Sequence, residues 1–415
     1  MFAPLKFIFD QAVKAGDLTV VDSDGCAHRF GDRTGSPLVV RLASRGLERR
    51  LAFYPQLALG HSYMQGQFLI EEGTIYDFLE LMLGHSVPQS FPRWMCGVDS
   101  TRWLSRRLQQ YNPAARARAN VAHHYDISRA VYDLFLDADM QYSCAYFQDT
   151  DDLDAAQLAK KRHIAAKLSL NKGHRILDIG SGWGGLGIYL AGVADVDVTG
   201  ITLSTEQLHV AQKRAKKSNL SGRVRFELQD YRTIEGHFDR IVSVGMFEHV
   251  GVNHYQAFFE TLAHLLTEDG VALIHSVGRF DTPTVTNPFI AKYIFPGGYI
   301  PALSEVLPAI ERSGLINCDI EILRLHYAIT LRCWRERFHI NRGQAADLMG
   351  EEFCRMWEFY LAASEVGFRY QGLMVFQIQL ANCQQTLPLT RDYMFEEERR
   401  LTRLERPSKH EEQAA

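Results

Sequence analysis

The feature that most constrains the fold is a regular alternation of short β-branched runs with helix-like stretches, which starts near residue 150. The apolar runs read HRILDIG, VDVTGITLS, RVRFELQD, FDRIVSVGMF and GVALIHSVG. Strands that alternate with helices pair in parallel, because each helix crosses back over the sheet before the next strand begins. The pattern therefore predicts an α/β fold with a doubly wound, mostly parallel sheet.

The first 85 residues follow a different pattern. LTVVDSDGCAHRFG reads as strand, turn and strand with Asp24-Gly25 at the bend, SPLVVRLAS as a further strand, and IYDFLELML as an amphipathic helix. We therefore predict a smaller amino-terminal α+β domain over residues 1–110, followed by the α/β domain over 111–400. The last residues are rich in charge, and we expect a tail over 401–415 that frays together with the charged residues just before it.

The first strand of the alternating region runs into a glycine-rich turn, ILDIGSGWGG (176–185). Glycine lets the backbone turn tightly and approach a ligand without a Cβ in the way, and ligands of open α/β sheets lie beyond the carboxyl ends of the strands. The spacing Gly180-x-Gly182-x-Gly184 after Asp178 differs from the dinucleotide fingerprint GxGxxG, and no GK[ST] follows. A purely structural turn is the alternative.

This loop resembles the S-adenosylmethionine loop of class I methyltransferases, which places Asp178 near the amino-acid end of the ligand. The second strand lacks the acid that commonly holds ribose hydroxyls, but an amide can bond them equally well. The third strand ends in LQDYR, where the adenine would lie, although an exposed turn is the alternative for Asp230. The further residues predicted to bind the ligand are Thr202, Leu203, Gln207, Gln229, Asp230 and Tyr231.

Several other classes of protein are disfavoured. The seven cysteines are odd in number and contain no CxxC, and no HExxH occurs, so neither a disulfide framework nor a zinc site is expected. The missing [ND]PP[YF] after the fourth strand argues against a nucleic-acid methylase, so no nucleic-acid partner is expected. The scattered cysteines fit a reduced compartment, so we expect a cytoplasmic protein, and because no run of about 18 apolar residues is present, any association with the inner membrane is expected to be peripheral.

Five stretches in this order resemble the cyclopropane-fatty-acyl-phospholipid synthase family. They are HYDISRAVYDLFLDADMQYSCAYF, LDIGSGWGG, GITLSTEQ, MFEHVG and NPFIAKYIFPGGYIP, and the resemblance is dense over residues 120–385. It implies transfer of a methylene group from S-adenosylmethionine to the cis double bond of an unsaturated acyl chain in a membrane phospholipid. Methylation without ring closure remains open, because the outcome depends on where the proton goes. A homodimer is a possible assembly.

The chemistry of that reaction explains the residue types. The alkene attacks the sulfonium methyl and leaves a carbocation, so the site must exclude water and hold a base. The resemblance implies that the base is bicarbonate, held by Cys144, Glu248, His275, Val277 and Tyr327. It also implies that Tyr125, Tyr142 and Ser143 touch the sulfonium ligand. Taken singly, each of these residues would more often be structural.

A basic stretch, residues 101–118, carries five arginines and no acid. It could meet anionic lipid head groups, with Trp103 and Leu104 entering the interface. The alternative is a solvated or interdomain helix. A binding protein with an inactive methyltransferase fold is a further alternative, but the intact Gly180, Gly182, Glu248 and His275 argue against it.

Overall fold

The computed structural model describes residues 1–84, 110 and 129–405. The amino-terminal part contains a four-stranded sheet in the order β2-β1-β3-β4. Strands β1 and β2 form the antiparallel hairpin predicted from the sequence. The elements are α1 (Ala3–Ala12), β1 (Asp17–Val21), β2 (Ala27–Phe30), β3 (Pro37–Leu42), α2 (Arg45–Phe53), α3 (Pro55–Met64), β4 (Phe68–Glu72) and α4 (Ile75–Leu83).

The remainder forms a seven-stranded sheet flanked by helices. Its strands are β5 (Arg175–Ile179), β6 (Asp197–Thr202), β7 (Val224–Leu228), β8 (Phe238–Val244), β9 (Leu266–Arg279), β10 (Ile316–Leu323) and β11 (Leu373–Ala381). Its helices are α5 (Arg129–Tyr132), α6 (Leu153–Lys167), α7 (Gly185–Val193), α8 (Thr205–Lys217), α9 (Tyr255–Leu265), α10 (Leu303–Ser313), α11 (His326–Ile340), α12 (Arg342–Met349), α13 (Glu351–Tyr370) and α14 (Asp392–Glu405).

The strand order of this sheet is β10-β11-β9-β8-β5-β6-β7. Strands β5 to β9 pair in parallel, and β11 runs antiparallel to both of its neighbours. All five predicted strands are present, so the predicted α/β, doubly wound, mostly parallel fold is confirmed. The physical reason is that β-branched runs, such as the one in β5, are buried on both faces between helices.

The order of the strands reverses between β5 and β8, and this reversal positions the site. The chain moves outward from β5 to β6 and β7 on one side, and returns to β8 and β9 on the other. A crevice forms beyond the carboxyl ends of strands at such a switch point. Gly180 follows β5 and Gly245 follows β8, and both have positive φ, 84° and 69°. The segments that follow β5 and β8 therefore both turn sharply away from the same edge of the sheet.

The amino-terminal part packs against helix α13. Helices α3 and α4 pack on it, and one hydrophobic core continues from the small sheet into the region around α11 and α13. Tyr293 and His61 share a hydrogen bond of 2.6 Å, and the hydroxyl of Tyr370 donates to Glu80 over 2.7 Å. The boundary at residue 110 itself stays a prediction.

The expectation that the charged carboxyl-terminal stretch frays is wrong up to residue 405. Helix α14 continues to Glu405, and its Leu401 is buried. Glu405 pairs with Arg162 of α6 and accepts a hydrogen bond of 2.6 Å from the hydroxyl of Tyr189, and Glu398 pairs with His163. The high charge predicted a solvated tail, but these carboxylates meet basic groups on a neighbouring helix. Residues 406–415 lie outside the described part.

The basic stretch 101–118 also lies outside the described residues, apart from Gln110. Of the helices that the structure describes, none is both long and apolar enough to cross a membrane.

Candidate active site

A cavity opens at the carboxyl ends of β5, β6, β7 and β8. Its lining includes most of the residues that the sequence predicted to bind the nucleoside ligand. These are Gly180, Gly182, Thr202, Leu203, Gln207, Gln229, Asp230 and Tyr231. Asp178 and Gly184 were predicted with them but are not part of the lining.

The glycines of the loop have different roles although all three have positive φ, 84°, 53° and 82°. A Cβ on Gly182 would meet no atom within 4 Å, so the space beside it belongs to the cavity. A Cβ on Gly184 would lie 2.6 Å from the ring of Phe226 and 2.9 Å from Ala211. Gly184 therefore lets α7 pack against β7 and α8, whereas Gly182 leaves room for a ligand.

Gln207 presents an oriented amide to the cavity. The hydroxyl of Thr202 lies 2.9 Å from its Oε1 and can only donate to that oxygen. The backbone N–H of Gln207 donates to the hydroxyl of Ser204, which caps helix α8. With the amide oxygen held by Thr202, the Nε2 group is the end of Gln207 that can face a ligand hydroxyl.

Asp230 is a buried residue, so the exposed-turn alternative is wrong. Its two carboxylate oxygens accept hydrogen bonds of 2.8 and 2.9 Å from the guanidinium of Arg232. The same carboxylate caps the short turn that begins at Tyr231.

Burial raises the pKa of Tyr231 to about 12, so its phenol is neutral, and its ring packs edge-on against Phe258.

Asp178 lies on β5, next to Ile179, which lines the cavity. It is 2% exposed, and its Oδ2 has no hydrogen-bond partner among the described residues. Burial raises its pKa to about 7, and the charge of Lys160 opposes that shift. Lys160 is itself buried and donates to the hydroxyl of Ser143 over 2.8 Å. An unpartnered buried carboxylate is costly, which fits a cationic ligand group in this region.

Glu248 follows β8 in the short turn Phe247–His249, and its carboxylate reaches β9. Its Oε1 accepts a hydrogen bond of 2.6 Å from the backbone N–H of Val277. Its Oε2 is buried and has no partner among the described residues. Burial raises the pKa of Glu248 to about 7. The resemblance implied that Val277 is one of the residues that hold the ion, but in this structure its N–H donates to Glu248.

His275 lies two residues before Val277 on β9, so both side chains point to the same side of the sheet. It is 2% exposed, and its Nδ1 lies 3.1 Å from the amide nitrogen of Gln377. Burial, reinforced by the charges of Lys160 and Lys167, lowers the pKa of His275 to about 3. The imidazole is therefore neutral.

Cys144, Tyr142 and Tyr327 lie in or against one hydrophobic cluster, to which Val277 also belongs. The backbone N–H of Ala145 donates to the hydroxyl of Thr330 over 3.0 Å, which ties the loop of Cys144 to the helix that carries Tyr327. Burial raises the pKa of the Cys144 thiol well above its usual range, so the thiol is not activated as a nucleophile. Tyr125 lies outside the described residues.

Sequence reasoning missed part of the cavity wall. Met246, His249 and Val250 line the cavity, and they were not predicted as site residues although they belong to the MFEHVG motif around Glu248. Arg232 also lines the cavity, beside Asp230. Burial lowers the pKa of His249 to about 4, so this ring is also neutral. Within the ranges that the structure describes, no three His, Cys, Asp or Glu side chains could together hold a metal ion.

Gln377 was missed as well. The signal for it was present in VFQIQLA, where two polar residues alternate through a strand that is otherwise apolar. A polar side chain that is buried in a sheet needs a partner, so such a pattern indicates a polar network.

The strand order, the single antiparallel strand β11 and the glycine loop at the switch point define a class I methyltransferase fold. Comparison with known proteins narrows the class. The family model for mycolic acid cyclopropane synthetase matches residues 113–378. The cyclopropane-fatty-acyl-phospholipid synthase of Escherichia coli K12 is 36% identical over 345 residues, which are 83% of this chain and 87% of that protein.

Two further comparisons agree. Tuberculostearic acid methyltransferase UfaA1 of Mycobacterium tuberculosis is 36% identical over 380 residues, which are 87% of this chain and 86% of that protein. The crystal structure of mycolic acid cyclopropane synthase CmaA1 complexed with SAH and CTAB superimposes with a TM-score of 0.61 and 34% identity, and covers 65% of this chain and 99% of that one. The chain therefore belongs to the mycolic acid cyclopropane synthetase family, and is an S-adenosylmethionine-dependent enzyme of the cyclopropane synthase type.

Proposed function

We propose that this enzyme transfers a methylene group from S-adenosylmethionine to the cis double bond of unsaturated acyl chains in membrane phospholipids, and so forms cyclopropane fatty acids. The alkene forms a bond to the sulfonium methyl while the carbon–sulfur bond breaks. A proton then leaves the new methyl group, and the ring closes. The observation that carries the proposal is the buried Oε2 of Glu248, which has no partner among the described residues and belongs to a carboxylate fixed between β8 and β9.

S-adenosylmethionine would occupy the cavity beyond β5, β6 and β8. Gly182 leaves room for the ligand, and Gln207 presents amide donors to hydroxyl groups. Asp178 supplies a buried carboxylate whose Oδ2 has no partner among the described residues, and the α-ammonium group of the ligand would complete it. We assign the remaining cofactor contacts to Tyr125, Tyr142, Ser143, Gly180, Thr202, Leu203, Gln229, Asp230 and Tyr231.

The base would be bicarbonate, which when bound supplies the acceptor for the proton lost from the new methyl group. The unpartnered oxygen of Glu248 fits a small ion that carries an O–H group, because a carboxylate can only accept. His275 is neutral and keeps one N–H to donate. Cys144 and Tyr327 would complete the holders, and Val277 contributes by fixing Glu248.

The surroundings of these residues exclude water. A carbocation intermediate needs this protection, because water would attack it. Cys144, Trp334 and Trp357 are at most 1% exposed. The ring of Tyr142 stacks on Trp334 at 5.1 Å, and Tyr327 packs edge-on against the same indole at 5.8 Å. Aromatic faces attract cations by about 0.5–2 kcal/mol. Such a cluster suits the deprotonation of a cation by a single held base.

A second candidate is methylation of an acyl chain without ring closure. It has support from the similarity to the tuberculostearic acid methyltransferase UfaA1. The match covers 86% of that protein, compared with 87% of the Escherichia coli synthase. The two candidates differ in where the proton is lost. Membrane lipids from a host that expresses this chain should gain the mass of one CH₂ group per double bond consumed. Proton NMR then decides, because only ring closure yields cyclopropane methylene signals.

We also propose that the enzyme docks peripherally on the membrane. Its substrate lies in a bilayer, and none of the described helices is long and apolar enough to span one. The basic stretch 101–118 and the amino-terminal domain over residues 1–110 would form the docking module, with the catalytic domain following it. A basic residue near an anionic surface contributes about 1 kcal/mol. A homodimer is compatible with this arrangement.

A further inference from the structure

A buried polar pair from two other elements lies behind His275. Gln377 of β11 is directly opposite His275 in the antiparallel pairing with β9, and its Nε2 lies 3.1 Å from Nδ1 of the imidazole. Lys167, the last residue of α6, donates from Nζ to Oε1 of Gln377 over 2.8 Å. All three residues are at most 2% exposed, so bulk water does not compete for these bonds.

The contact with Lys167 determines which way the Gln377 amide faces. An ammonium group can only donate, so the amide oxygen faces Lys167 and the NH₂ group faces His275. The NH₂ group also can only donate, so Nδ1 of His275 is the acceptor and carries no hydrogen. A neutral imidazole then has its one hydrogen on Nε2.

Lys167 is held in turn by charged groups on the far side. Its Nζ pairs with Glu321 of β10, and Glu321 also accepts a hydrogen bond of 2.6 Å from His163, which lies one turn earlier on α6. Burial alone would raise the pKa of Glu321, but the hydrogen bonds and charges of His163 and Lys167 outweigh it and lower the pKa to about 2, so its charge persists near neutral pH. The amide of Gln377 is therefore anchored through an ionised network.

We propose that Gln377, oriented by Lys167, is a positioning residue that holds His275 as the Nε2–H tautomer. The imidazole then donates a hydrogen bond into the active site and does not receive the proton of the reaction. A proton on Nδ1 would face the NH₂ group of Gln377, which has no lone pair to accept it. For the role of His275 in the reaction, the inference rests on the function proposed above.

The sharpest test is Gln377→Glu. The new carboxylate has nearly the same volume and keeps a partner in Lys167, but it accepts from Nδ1 where the amide donated. We expect ¹⁵N NMR of the ligand-free protein to show His275 with hydrogen on Nε2 in the parent and on Nδ1, or on both nitrogens, in the variant. The His275 signals are assigned by their loss in His275→Gln. Turnover should fall by roughly 10-fold or more while S-adenosylmethionine affinity is unchanged.

Gln379→Glu is the matched control. Gln379 is also buried and lies two residues further along β11, but its Nε2 donates to the hydroxyl of Tyr393 over 2.7 Å and to the backbone oxygen of Lys167, and it has no hydrogen bond to His275 or to the ammonium group of Lys167. This variant buries the same carboxylate in the same strand and should leave the His275 spectrum unchanged. If Gln377→Glu does not fold, Lys167→Met removes the group that orients the amide, and both tautomers of His275 should then appear.

Two results would overturn the inference. One is a parent protein whose His275 carries its hydrogen on Nδ1. The other is a Gln377→Glu variant that loses turnover while His275 stays in the Nε2–H form, because Gln377 would then be merely structural. A parent spectrum with hydrogen on Nε2, together with a product other than a cyclopropane, would remove the proposed function and leave the tautomer assignment standing.

Discussion

The backbone N–H of Val277 donates to the carboxylate of Glu248 over 2.6 Å, and this bond joins the turn after β8 to the neighbouring strand β9. Glu248 therefore presents one fixed oxygen to the backbone and one unpartnered oxygen, Oε2, to the interior. His275 precedes Val277 by two residues on β9, so the side chains of these two residues point to the same side of the sheet. The turn after β8 therefore positions a carboxylate where a charged or hydrogen-bonding ligand group can complete it.

Glu248→Gln should lower turnover by roughly 100-fold or more while S-adenosylmethionine affinity, measured by calorimetry, is nearly unchanged. Glutamine can still accept from Val277 with its oxygen, but it presents an NH₂ donor in place of the free carboxylate oxygen. Glu268→Gln, on an exposed part of β9, is the control and should have no effect. Loss of cofactor binding in Glu248→Gln would move Glu248 to the cofactor site.

Gly182→Val should abolish S-adenosylmethionine binding, because a branched side chain would fill space that is open to the cavity. Gly184→Ala gives the contrasting result. Its Cβ would collide with Phe226 and Ala211, so the variant should lose about 1–3 kcal/mol of unfolding free energy. Gly182 also has a positive φ, so Gly182→Val should lose some stability as well, and calorimetric titration at a temperature where thermal unfolding shows the variant to be folded isolates its loss of binding. Normal binding by Gly182→Val would mean that the loop is only a structural turn.

The free energy of unfolding of the ligand-free protein should depend on pH through Glu248, whose pKa burial raises from 4.5 to about 7. Between these values the unfolded chain has released a proton that the folded protein retains. Stability is therefore fully present below about pH 4.5 and is lost as pH rises toward 7, by up to roughly 3 kcal/mol. Glu248→Gln removes this contribution.

Urea unfolding gives the free energy of unfolding of the parent and of Glu248→Gln, and measurements at several pH values between roughly 5 and 8 test the sign of this dependence. This range covers the titration of the carboxyl group. The variant should gain stability relative to the parent as pH rises. A difference that is constant with pH would show that the Glu248 carboxyl is solvated and titrates normally.

Deletion of residues 390–415, which include α14, should lower the thermal midpoint of unfolding by several degrees. The deletion exposes the surface that Leu401 covers. It also leaves Arg162 without Glu405 and His163 without Glu398. Deletion of residues 406–415 alone serves as the control and should leave the midpoint unchanged. Equal midpoints for both truncated chains would mean that the helix adds nothing to stability.

Changing Arg102, Arg106 and Arg107 together to Gln should weaken sedimentation with anionic vesicles and slow turnover on them. Binding of the parent should also fall as salt is added, since the attraction is screened. Neutral vesicles provide the comparison, and the triple variant should differ little from the parent on them. Undiminished sedimentation with reduced thermal stability would identify the arginines as structural.

Local patterns determined much of this protein. The alternation of β-branched runs with helical stretches specified the parallel strands β5 to β9, because burial on both faces of a sheet leaves a continuous apolar run in each strand. The glycine spacing predicted Gly180 and Gly182 at the cavity, because a positive φ and a missing Cβ are local properties. Gly184 shares both properties, and only the contact with Phe226 shows that it serves packing.

Tertiary structure decided what depends on elements that are distant in sequence. Strand β11 inserts between β9 and β10, and only this pairing places Gln377 opposite His275, 102 residues away along the chain. In the same way, the charge of the carboxyl-terminal stretch predicted a solvated tail, whereas Glu405 pairs with Arg162. A sequence records which side chains carry charge or hydrogen-bonding groups. Which of them meet, and therefore which tautomer or protonation state each holds, follows from the packing that buries them together.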